Sequence, residues 1–118
     1  MYLEDELDLI LSKLDMNPTQ RDFAWLKQVV MLAIENPSTW EERYLELIGK
    51  REGITRERVR QILYKAVCDH WSPQSKQILR TSFGPSIQMQ FEYVKPNHIE
   101  FITLLSEELR KKHLSLPS

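Results

Sequence analysis

At 118 residues and 42% hydrophobic, with three Trp and four Phe, the chain is long enough for one domain around one buried core, which argues against a disordered chain. A net charge of −1 and a pI near 6.3 exclude attraction to nucleic acid by overall charge, so any such contact must come from a local concentration of cations. The single cysteine, Cys68, excludes an internal disulfide and fits a reducing compartment; no apolar run approaches the roughly 20 residues of a membrane span, and no signal-peptide pattern precedes the acidic start YLEDELD, so a cytoplasmic protein without a membrane partner is expected.

Helical periodicity dominates from the first residues onward. Leu3, Leu7, Ile10, Leu11 and Leu14 form one apolar stripe, which predicts an acidic amphipathic helix over 3–14. Asn17-Pro18 breaks it, and Thr19 is placed to cap a second helix running to about Ile34, with Phe23, Leu26, Val29, Val30 and Ala33 inward. The apolar content of WLKQVVMLAI makes that segment the expected central helix. Asn36-Pro37 ends it, and a third helix starts at Ser38 or Thr39 and carries Trp40, Tyr44, Leu47 and Ile48 inward. A fourth runs from Arg56 to about Trp71, with Val59, Ile62, Leu63, Ala66, Val67 and His70 on one face, and Ser72-Pro73 closes it. A short fifth helix is expected around Gln74–Thr81. Phe83-Gly84-Pro85 opens the only plausible extended segment, Ser86–Val94, readable as a short hairpin or a loop. Pro96 begins a last helix, Asn97–His113, with Ile99, Ile102, Leu105 and Leu109 buried, and the tail to Ser118 is expected to fray. The reading is all-α: a six-helix bundle in one domain over 1–118.

The most informative stretch is Leu45–Ala66, LELIGKREGITRERVRQILYKA. A small residue at Gly49 lets two helix backbones approach, and Gly53 supplies the positive φ that turns the chain out of the first helix. Thr55 caps the next helix, and Ile54, Val59 and Ile62 seat it. Geometry then leaves Arg58, Arg60, Gln61, Tyr64 and Lys65 exposed, the residue types of a major-groove reader on a helix-turn-helix. Charge follows the same pattern. Residues 1–15 hold Glu4, Asp5, Glu6, Asp8 and Asp15 against Lys13, whereas residues 50–65 hold Lys50, Arg51, Arg56, Arg58, Arg60 and Lys65 against Glu52 and Glu57.

With these landmarks placed, the chain resembles the C-terminal effector domain of the stage-zero sporulation protein A family, a response regulator of endospore-forming bacteria. The residues that carry the resemblance are Thr55-x-x-Arg58-Val59, Ala66, Trp71-Ser72, Phe83-Gly84, Lys95-Pro96 and Glu100-Phe101-Ile102, with a weaker match at Trp25-Leu26. It spans roughly Leu9 to His113. The resemblance implies an all-helical bundle of six helices containing a helix-turn-helix, which binds short promoter boxes, often as two copies in tandem. Arg58 keeps the family's leading base-contacting arginine. Arg60 stands where the family has Glu, and Gln61 where it has a second base-reading Arg; the loop between Gly84 and Lys95 is a little longer, and the chain is shorter between the second and third helices. The family's usual N-terminal receiver domain, with its phosphorylatable aspartate, finds no room in 118 residues, so either a stand-alone effector or a piece of a longer regulator is expected.

The expected base contacts are Arg58, Arg60, Gln61 and Glu57, the last accepting from cytosine or only favouring the helix N-terminus. Lys50, Arg51, Thr55, Arg56, Tyr64, Lys65 and Lys95 are expected at the backbone. Arg110, Lys111 and Lys112 are read as complementing the last helix's dipole. TRERVRQI also resembles the helix-turn-helix of sigma-factor region four, a likeness that stops at Ile62, and an RNA polymerase sigma factor is a further candidate partner. No catalytic set, cofactor or metal is expected: His70, His98 and His113 lack ligand spacing with Cys68, there is no Gly-rich phosphate loop, and Glu41-Glu42 and Glu107-Glu108 read as solvated surface. The alternative reading is a helical module that binds protein, for which the acidic first helix and near-neutral total are suited.

Overall fold

Each apolar stripe of the sequence becomes one helix. The computed structural model describes residues 2–17, 19–87, 89 and 95–114, and in them the order is α1 (Leu3–Lys13), α2 (Arg21–Glu35), α3 (Trp40–Glu52), α4 (Arg56–His70), α5 (Ser75–Phe83) and α6 (His98–Leu114). No strand occurs among the described residues. Ser86, Ile87 and Met89 are not extended pairs of a hairpin; residues 88 and 90–94 of that expected segment lie outside the described residues, as do 115–118 of the tail. Leu114 still belongs to α6.

α2 is the central helix, as its composition requires: Phe23, Trp25, Leu26, Val29, Val30 and Ala33 are all buried. Tyr44 of α3 lies fully buried against it and donates its hydroxyl to the Trp25 carbonyl at 3.0 Å. That burial pushes the Tyr44 hydroxyl well above the ordinary phenol range. α6 packs along α2 with Phe101, Ile102, Leu105 and Leu109 buried. Its start is a reciprocal box in which Asn97 Oδ1 accepts from the Glu100 N–H at 2.8 Å and Glu100 Oε1 accepts from the Asn97 N–H at 3.1 Å. Trp71, at the end of α4, meets Phe101 of α6 edge to face, with ring centroids 6.4 Å apart.

Several expected details differ. Thr19 does not cap α2: its N–H and hydroxyl both donate to Asn17 Oδ1, and the cap position falls on Gln20, which makes no side-chain cap bond. Leu47 and Ile99 are exposed, at 56% and 42%, because each lies at the edge of its stripe where no neighbouring helix covers it. His70 is half-buried, 3.9 Å from Asp22, and is not a core residue. Glu6, counted with the acidic outer face of α1, is buried and bonded by Lys112 and His113 of α6. Burial pushes the Glu6 carboxyl up, but the hydrogen bonds from Lys112 and His113 outweigh it and hold it below the ordinary carboxylate range. Arg110 and Lys112 also do more than complement their own helix. Arg110 donates to the carbonyls of Ala33 and Ile34 at the end of α2, and Lys112 donates to the Ser82 carbonyl near the end of α5.

Candidate nucleic-acid interface

The turn between α3 and α4 follows from three side-chain choices. Gly53 adopts φ 67°, which ends α3 in the left-handed conformation. The Gly49 carbonyl accepts from the Gly53 N–H and from the Ile54 N–H, the latter at 3.1 Å, and so closes the helix end. A Cβ at Gly49 would sit 3.1 Å from the Ile54 oxygen, a tight approach that the glycine relieves. Thr55 then caps α4 by accepting from the Arg58 N–H at 3.1 Å. Val59, Ile62, Leu63, Ala66 and Val67 are buried, and this fixes the helix rotation.

Rotation leaves Thr55, Arg56, Glu57, Arg58, Gln61, Tyr64 and Lys65 exposed. Lys50 and Arg51 are exposed on the last turn of α3, beside the turn. Lys95 is exposed three residues before His98, whose ring lies against Glu41 of α3. Arg60 departs from the expectation: it is half-buried, since its position on α4 faces the start of α3.

Five cations of this face, Lys50, Arg51, Arg56, Arg58 and Arg60, have side-chain partners. Arg58 Nη1 donates to Gln61 Oε1 at 3.4 Å, which aligns the two expected base readers with each other. Arg56 Nη1 lies 3.4 Å from Glu42 Oε2, Lys50 Nζ 2.9 Å from Glu46 Oε1, and Arg51 Nε 3.3 Å from Glu52 Oε1. The Lys50 ammonium holds the Glu46 carboxyl below its usual range. Arg60 is engaged twice, by Glu57 Oε2 at 3.3 Å and Glu41 Oε1 at 3.7 Å. The sequence count over 50–65 therefore overstates the local charge, because the fold sets Glu41, Glu42 and Glu46 of α3 against the same arginines and lysine. Glu41 is not the solvated carboxylate expected of an adjacent acidic pair.

His98 was not among the expected site residues. Its ring is buried, neither nitrogen has a hydrogen-bond partner, and Nε2 lies 4.0 Å from Glu41 Oε2. Burial pushes its pKa below the ordinary imidazole range; Glu41 and Glu57 pull it up, and Arg60 pushes it further down. The last helix was read to start beside it, after Pro96, but only tertiary packing brings Glu41 and Arg60 to it.

Among the described residues no cluster of three or more His, Cys, Asp or Glu could hold a metal ion, and no helix is long and apolar enough to cross a membrane. Comparison with protein-family models, with curated proteins and with solved structures found no match. The resemblance to sporulation effector domains therefore rests on the quoted residues alone.

Proposed function

We propose that this chain is a double-stranded DNA-binding domain that regulates transcription by equilibrium recognition, with α4 lying in the major groove. The observation that carries this reading is the rotation of α4. Its apolar side is sealed into the core, and its first ten residues carry Arg58, Gln61, Tyr64 and Lys65 outward beside a capped, glycine-closed turn. Arg58 is the leading base reader, suited to a bidentate contact with guanine, and Gln61 to one with adenine. Lys50, Arg51 and Arg56 flank the turn and suit phosphates. Their partners are exposed carboxylates whose attraction water screens, so exchanging them for phosphate is inexpensive. Promoter DNA in the cytoplasm, a second copy in tandem and a polymerase sigma factor are the partners this reading proposes.

Selection of bound duplexes from a random pool tests it, followed by titration of the selected site with rising salt. Arg58→Ala should weaken the selected site by about 1–3 kcal/mol and relax preference at one base pair. Lys50→Ala should weaken selected and random duplexes alike. An unchanged affinity in Arg58→Ala removes the assigned docking.

A second reading, a module that binds protein, is favoured by one observation. Between α1, α2 and α3 runs an open groove whose lining includes Met31, Leu32 and the exposed Leu47 together with Glu35 and Arg51. A module that binds protein alone should show little duplex affinity at any salt concentration.

A further inference from the structure

α3, α4 and α6 converge electrostatically on Arg60. A guanidinium offers two edges for bidentate bonding, Nε with Nη2 and Nη1 with Nη2. Here Nη1 donates to Glu57 at 3.3 Å and Nε lies 3.7 Å from Glu41, so one nitrogen of each edge faces a carboxylate. Reading guanine O6 and N7 together requires a whole edge. The Arg60–Glu41 pair is also the more enclosed: its side chains are 37% and 28% exposed, against 51% and 74% for Arg56–Glu42. Water screens it less, and it yields less readily to DNA.

We propose that Glu41 is a positioning residue of the DNA-reading face. Together with Glu57 it withholds Arg60 from bidentate base contact, and the buried His98 ring lies behind it, 4.0 Å from Glu41 and without a hydrogen bond to it. The proposal rests on the DNA-binding reading of α4. It also assigns different roles to two arginines two residues apart on α4: Arg58, whose guanidinium donates to the neutral amide of Gln61, reads bases, and Arg60, faced by two carboxylates, does not. The charged groups facing His98 are Glu41 from α3 and Arg60 and Glu57 from α4. A proton on His98 would attract Glu41 and repel Arg60, and both effects loosen Arg60 from α3.

The test compares wild type, Glu41→Gln, Arg60→Ala, the double variant and Arg58→Ala on one selected duplex at pH about 7.5 and fixed salt, where His98 is uncharged. Glu41→Gln should bind about two- to fivefold tighter, the range expected for releasing one partly exposed ion pair. That gain should vanish in the Arg60→Ala background. A gain that persists there reflects only lost repulsion between Glu41 and phosphate and overturns the proposal, as does no gain at all. The Arg60 Nε–Hε resonance supplies a readout without DNA: it should shift in Glu41→Gln, and an unmoved resonance counts against the contact. If Arg58→Ala weakens binding while Glu41→Gln equals wild type, positioning fails and the DNA reading stands. If wild type binds no duplex, both fall.

Discussion

Gly53 holds a left-handed backbone at φ 67° with nothing within 4 Å of an added Cβ, so the cost of a side chain there is purely conformational. Gly53→Ala should lower stability by about 1 kcal/mol, measured by urea unfolding, without displacing any neighbour. His98 presents the opposite situation, since its ring is buried without a hydrogen bond to either nitrogen. Its folded pKa lies below the ordinary value of 6.5, so the unfolded chain binds more protons in that window. Stability conferred by neutral His98 is complete above that value and declines as pH falls from it toward the folded pKa. His98→Leu should therefore match or exceed wild type at pH about 7 and lose that part of the acid slope, because no hydrogen bond is given up. Gly53 and Thr55 were legible in the sequence because their roles are local, each set within four residues. Glu41 and Arg60 were not, because nothing in either helix alone says which carboxylate the other helix will present.

Helices and their inward faces were legible wherever a stripe is crossed by a neighbour along its middle. The reading failed at stripe edges: Leu47 and Ile99 satisfy the spacing, yet the flanking helices leave them in solvent. Helix ends were misread for a related reason. Arg110 sits in the last turns of α6, where a basic residue ordinarily complements its own dipole, but it reaches across to the end of α2. Its Nη2 donates to Ala33 at 2.9 Å and to Ile34 at 3.0 Å, and Nε donates to Ile34 at 3.3 Å. One planar side chain thus satisfies carbonyls that a helix end leaves without partners. Arg110→Ala should destabilise by about 1–3 kcal/mol, and Arg110→Lys should recover little of it, because an ammonium cannot span both carbonyls in the same way. Thermal unfolding of the two variants checks this; full recovery by lysine would mean that charge, not the fork, is what matters.

Across the whole molecule, α6 joins what the chain order separates: it packs on α2, meets α4 through Phe101 and holds α1 through Glu6. The Glu6 carboxyl titrates below its ordinary value of 4.5, so its contribution to stability is complete above that pH and is lost as pH falls through the folded pKa. Glu6→Gln should lower stability near neutrality by about 1–2 kcal/mol, a modest figure because Lys112 is half exposed, and should flatten the unfolding limb below pH 4.5. The Arg110 clamp carries one more consequence, for biosynthesis. The Ile34 carbonyl meets a donor encoded 76 positions downstream. At about 5–20 residues per second, a ribosome needs roughly 4–15 s to supply it. Until then the carbonyls at the end of the central helix have water in place of the guanidinium, and native closure waits for α6 to leave the exit tunnel.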